Sequence, residues 1–142
     1  MRHTNKIELR PSVGSLLDYV IDGQSLLVHL RSRGCKDTDF TSPFGRTSCE
    51  FESRVAGWLL LRAKSDLRTG RIPLLFCPTC ADLGCGAVTA AVEHIDDCFV
   101  WKDFGFETPT SESVDRERYE HVRGFTFIEY DYTETFRRYL VA

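Results

Sequence analysis

What this chain of 142 residues lacks narrows it first. Its apolar runs are short, as in Trp58-Leu-Leu-Leu61, far below the roughly 20 residues that a membrane-spanning helix requires. The stretch Met1-Arg-His-Thr-Asn-Lys-Ile-Glu8 has no apolar core of the kind a secretory signal carries. No G-x-S-x-G, H-E-x-x-H, P-loop or G-x-G-x-x-G occurs, so the commonest nucleophile, zinc and phosphate motifs are missing. No internal repeat is present. These absences predict a cytoplasmic protein with no membrane partner and no cofactor. In that compartment the six cysteines are expected to stay reduced.

What is present is ordinary for a folded domain: 42% hydrophobic and 27% charged residues. The length predicts one domain, residues 1–142, able to bury its own core. Charge is unevenly placed. Residues 1–75 hold 12 Lys/Arg against 8 Asp/Glu, a net of +4, whereas residues 76–142 hold 6 against 13, a net of −7. Nucleic acid selects a basic stripe, so no nucleic-acid partner is expected. An acidic half suits either a solvated surface or a basic protein partner.

The pattern of elements is mixed. Ile7-Glu-Leu9 and Ser15-Leu-Leu-Asp-Tyr-Val-Ile21 read as short strands, followed by an Asp22-Gly23 turn and a short helix carrying Leu26, Leu27 and Leu30. Thr47 and Glu50 stand at capping-box spacing ahead of a helix whose stripe is Phe51, Val55, Trp58, Leu59 and Arg62. Ile72-Pro-Leu-Leu-Phe-Cys77 reads as a buried strand. Ala87–Glu93 and Cys98–Phe104 flank His94-Ile-Asp-Asp97 as a hairpin, with Phe99 and Trp101 on one face and Val100 and Phe104 on the other. Residues 107–120 read as a mobile polar surface loop. Phe125-Thr-Phe-Ile-Glu gives a last strand, and Asp131 and Glu134 are candidate caps of a final helix with Phe136, Tyr139 and Leu140. The expected fold is therefore α+β, an antiparallel or mixed sheet with about three helices packed against it.

The densest chemistry is Cys77-Pro-Thr-Cys80-Ala-Asp-Leu-Gly-Cys85. As a zinc site it supplies three thiolates where four ligands are needed. His94 and Cys98 lie at the hairpin turn, on the order of 30 Å up the strand at about 3.3 Å per residue. As a redox pair, Cys77-Pro-Thr-Cys80 is similar to the glutaredoxin C-P-x-C, but Gly84 and Gly86 favour a turn over the helix that lowers a thiol pKa. As small buried hydrophobes, the three cysteines need no ligand at all. All three readings stay open on the residues alone.

The run from Gly70 to Thr89, with its C-P-x-C-x-D-L-G-C-G core, and Val100-Trp-Lys-Asp-Phe104 resemble a set of uncharacterised bacterial proteins that share this cysteine pattern and a downstream W-x-D-[FW]. Phe125-Thr-Phe127 ahead of a tyrosine-bearing helix extends the resemblance over roughly residues 70–140. It implies a bacterial cytosolic protein; some members are labelled oxidoreductase, a label that no cofactor motif here supports.

Together these features lead to the expectation of a non-enzymatic protein that binds another protein, most specifically an immunity protein that neutralises a basic toxin domain. The candidate partner-binding residues are Glu93, Asp96 and Asp97 at the hairpin tip, with Asp103 and Glu107 further along. The competing expectation is a cysteine-dependent protein with a zinc or thiol-redox site at Cys77, Cys80 and Cys85.

Overall fold

Apolar residues at every second position build two antiparallel sheets. The structure, a computed structural model, describes residues 3–11, 16–31, 40–45, 48–77, 84–110 and 112–140. The first sheet has the order β1-β2-β3, from β1 (Ile7–Pro11), β2 (Leu17–Ile21) and β3 (Gln24–Ser25). Asp22 and Gly23 join β2 to β3 with positive φ at both positions, +53° and +82°, the backbone that a tight two-residue hairpin asks for and Asp-Gly supplies. The short helix α1 (Leu26–Arg31) follows, burying Leu26 and Leu30.

The second sheet has the order β4-β5-β6-β7, from β4 (Ile72–Phe76), β5 (Ala87–Ile95), β6 (Cys98–Glu107) and β7 (Phe125–Ile128). β4 is an edge strand, which accommodates Pro73 and its missing N–H. The hairpin of β5 and β6 is central, as its apolar content suggests, and Asp96-Asp97 turns it. With α2 (Cys49–Leu59) and α3 (Glu129–Phe136), the architecture is α+β with two antiparallel sheets and three helices. No helix among the described residues is long and apolar enough to cross a membrane.

One hydrophobic core joins both sheets and the helices. Trp101 lies at its centre, fully buried, and donates from Nε1 to the Tyr132 hydroxyl at 3.0 Å. That hydroxyl in turn donates to the Leu59 carbonyl at 2.7 Å, satisfying one of the carbonyls that the end of α2 leaves open. Burial pushes the Tyr132 phenol above its ordinary pKa, so it stays a neutral donor. Trp58 is buried as well.

Several boundaries differ from the sequence reading. The N-cap of α2 is Ser48, whose Oγ accepts from the Phe51 N–H at 3.2 Å; Thr47 lies outside the described residues. The helix ends at Leu59, and Leu61 at φ +58° turns the chain away. Arg62 therefore stands beyond the stripe it was expected to close. Helix α3 starts at Glu129 with Ile128 as N-cap and no side-chain cap, so Asp131 lies within its first turn and Glu134 deeper in the helix, neither of them capping it. Tyr139 belongs to a 3-10 turn, Arg137–Tyr139.

The larger correction is a bulge in β6. Thr89 pairs with Gly105 and Ala91 with Lys102, so Asp103 and Phe104 together oppose Ala90. The extra residue shifts the alternation by one. Phe104 consequently packs edge-on against Phe125, on the face where Phe127 meets Trp101. The sheet thus has one aromatic face turned to the core, and Val100 is half-buried on the other.

Candidate partner-binding surface

The acidic residues singled out from the sequence separate into two groups at opposite ends of the β5–β6 hairpin. At the bulge end, Asp103 and Glu107 surround Arg71, whose residue is 8% exposed. The Arg71 guanidinium donates from Nε to Glu107 Oε2 at 3.0 Å and from Nη1 to Asp103 Oδ2 at 2.9 Å. Its Nη2 donates to the backbone carbonyls of Asp103 and Thr89. Thr69 and Thr89 donate to the two oxygens of Glu107 at 2.5 and 2.6 Å. Arg116 grips Asp103 from outside at 2.6 and 2.9 Å. The Arg116 hydrogen bond, joined by the Arg71 charge, holds the Asp103 carboxyl below its usual range.

The bulge explains why this cluster exists. An extra residue leaves ladder carbonyls without strand partners, and buried carbonyls need donors. Arg71 supplies them, and its charge must then be matched by carboxylates. Glu107, at 2% exposure, is enclosed and cannot face a partner, which overturns its place among the candidate binding residues. Asp103 is half-exposed, but both its oxygens are taken by the two arginines. The segment after β6 closes over the site: Phe106 and Asp115 exchange backbone hydrogen bonds at 2.9 Å, and Tyr119 is buried. Glu107, expected as the start of a surface loop, is the last residue of the strand.

At the other end the hairpin tip is open. Asp96 and Asp97 are exposed, with Asp96 at φ +54°. Glu93, on the outer face of β5, pairs with Lys102 Nζ at 3.0 Å. The Asp97 carbonyl accepts from the Glu129 N–H at 2.9 Å, which seats the start of α3 against the tip and adds Glu129 and Asp131 to its acidic set. Cys98 pairs with Ile95 across the turn and with Ile128 across to β7. Directly paired residues point to one side of a sheet, so Ile95 and Ile128 flank the buried Cys98 on the outer face.

Large apolar residues are exposed here and just beyond α2. Tyr130 is 72% exposed, Ile95 46%, Ile128 44% and Leu61 41%; among the described residues only Val28 is another exposed large hydrophobic. Between α2 and α3 lies a cleft of about 490 Å³ lined by Leu60, Arg62, His94, Phe99, Glu129, Tyr130 and Thr133. His94 stacks on Phe99 at 4.5 Å between centroids, and Phe99 stacks on Tyr132 at 4.3 Å. Glu129 Oε1 lies 2.7 Å from His94 Nε2.

The aliphatic and aromatic members of this surface escape a sequence reading based on acidic residues. One signal was available. Tyr132 and Phe136, four apart, define the buried stripe of α3, and Tyr130 is off that stripe. Ile95 is similarly an apolar residue on the outer, Glu93-bearing face of β5.

Cys77 is half-buried just after β4, Cys85 is exposed before β5, and Cys98 is buried at the far end of the hairpin. Cys80 lies outside the described residues, so the three-cysteine site falls partly there. No group of three potential metal ligands comes together among the described residues. Comparison with protein-family models, curated proteins and solved structures gives no significant match.

Proposed function

We propose that this protein acts by binding another protein through the hairpin-tip end, and that in its most specific role it is a bacterial cytosolic immunity protein that occludes a basic toxin domain. The observation that carries this reading is the exposure of Ile95 and Ile128, which flank Cys98 at the hairpin tip, and of Tyr130 just after them in the chain, beside Asp96, Asp97, Glu129 and Asp131. Contiguous exposed apolar residues with a polar rim are characteristic of interaction sites. Tyrosine is a common anchor because it buries much area with little loss of side-chain freedom. The acidic rim selects a basic partner and speeds encounter with it. Enzymes that act on nucleic acid carry such basic surfaces, which is why a toxin of that class is the partner of choice.

The test is capture from a bacterial host lysate on immobilised wild type, Tyr130→Ala/Ile128→Ser, and Asp96→Asn/Asp97→Asn, followed by co-expression with the captured protein. The expected result is a basic protein that binds wild type, is lost or weakened with both variants, and arrests growth unless wild type is co-expressed. Equal capture by all three chains would remove the tip from the interface. Capture without any growth effect would remove the immunity role and leave protein binding.

A further inference from the structure

The cleft beside the tip has features that the binding reading leaves unused. Its lining includes the apolar Leu60 and Phe99. His94 and Phe99 belong to an aromatic stack, Tyr132–Phe99–His94, that rises from the buried Tyr132 to the exposed His94. Tyr130 and Glu129, at the start of α3, line the cleft as well. His94 occupies Glu129 Oε1, and the second oxygen, Oε2, has no hydrogen-bond partner among the described residues. A carboxylate oriented by one partner and open at its other oxygen, next to flat aromatic faces, is what a planar cation needs.

We infer that this cleft is the receptacle for an arginine side chain of the partner protein. The inference rests on the protein-binding reading given above and specifies the residue that the surface selects. A guanidinium is planar, weakly hydrated on its faces and rich in donors along its edge. In this cleft its faces lie against the Tyr130 and His94 rings, a cation–π arrangement, while its edge donates to Glu129 Oε2. The methylene stem covers Leu60 and Phe99. Lysine fits less well, because its compact ammonium keeps its water and cannot stack. The acidic neighbours Asp96, Asp97 and Asp131 add a field of the matching sign.

Arg62 makes the proposal decisive. It lines the same cleft and has no ion-pair partner among the described residues. A cationic guest is repelled by Arg62, whereas an anionic guest would be held by it. Replacing Arg62 with Gln therefore changes affinity in opposite directions for the two classes of guest.

The experiment is an NMR titration of the whole protein with N-acetyl-arginine amide, using N-acetyl-citrulline amide as the uncharged isostere. A ligand of this size binds on the order of 1 mM when it fits its site. The expected result is a saturable shift of the Leu60, His94, Tyr130 and Thr133 resonances with the arginine compound and not with citrulline. Glu129→Gln weakens binding by about ten-fold, the scale of a charge-assisted hydrogen bond, and Arg62→Gln strengthens it. An unchanged Trp101 indole resonance shows that each variant keeps its core. Equal response to citrulline, no saturable shift at these residues, or weaker binding in Arg62→Gln would overturn the proposal. Those outcomes leave the protein-binding reading standing, because that reading is decided separately by capture on the tip variants.

Discussion

The two ends of the β5–β6 hairpin hold carboxylates of the same kind in opposite roles. At the bulge end Asp103 and Glu107 are consumed by Arg71 and Arg116, and their charge never leaves the molecule. At the tip Asp96 and Asp97 stand exposed on a two-residue turn, with no bulge carbonyls nearby that require a cation. The difference lies in the backbone. A bulge creates orphan acceptors, these recruit a buried arginine, and the arginine recruits acids. A tight turn keeps its acids exposed. Residue type alone therefore does not separate acids enclosed in the fold from acids exposed on its surface; the register of the strand that carries them does.

The sharpest way to break this comparison is Arg71→Ala. It leaves Glu107 buried without its cation, so stability should fall by about 3–5 kcal/mol, read as a lower urea midpoint at unchanged slope. A loss within the scatter of surface variants would mean that the cluster is not the structural end of the pair.

A smaller loss is expected from Glu107→Gln. The amide keeps one acceptor oxygen where Thr69 and Thr89 need two, and it withdraws the charge that faces Arg71, costing about 1–3 kcal/mol. A double-mutant cycle with Arg71→Ala checks it: the two losses should be strongly non-additive.

Acid provides a third distinction. Asp103 titrates in the folded state below its unfolded value, held there first by Arg116 and then by Arg71. A depressed carboxyl contributes stability that is present above the unfolded pKa, about 4, and is lost as pH falls through the folded pKa. Stability of wild type should therefore drop on acidification in a window below about pH 4. Asp103→Asn should flatten that slope.

The smallest effect on folding belongs to the tip. Asp96→Asn/Asp97→Asn should change stability by less than about 0.5 kcal/mol, since Asn also tolerates the positive φ of position 96. Its effect should appear in binding instead, as slower association with the captured basic protein and a flatter dependence of that rate on salt. Loss of stability comparable to Arg71→Ala would erase the distinction between the two ends.

Much of the fold was legible because local signals and tertiary burial agree. The strand alternation, the Asp22-Gly23 turn, the hairpin about Asp96-Asp97 and the burial of Trp58 and Trp101 all follow from periodicity and turn chemistry. Glu107 was read as the start of a loop because a polar run follows it, whereas Phe104 was placed on the wrong face for another reason. A bulge at Asp103 and Phe104 leaves no mark in the sequence, yet it reverses the face of every later residue in the strand. The cap of α2 moved by one residue because Ser48 and Thr47 are chemically equivalent as caps. For the candidate site, the acids of the tip were visible as charge, whereas the cleft was not. It depends on the ends of α2 and α3 meeting the hairpin, residues 60, 94 and 129 that no short-range pattern connects.

The hydrogen bonds between Asn5 and Thr126 have a consequence for how the chain is made. The Asn5 N–H donates to the Thr126 carbonyl at 2.6 Å, and the Asn5 side-chain carbonyl accepts from the Thr126 N–H at 2.9 Å. During synthesis the first strand therefore leaves the ribosome long before β7, the element on which this end of it docks. The β5–β6 hairpin, closed by a two-residue turn, needs no such wait, and hairpins form in microseconds. Assembly on the ribosome is thus expected to run from the middle of the chain outward, with the N-terminal sheet seated only after residue 126 has emerged.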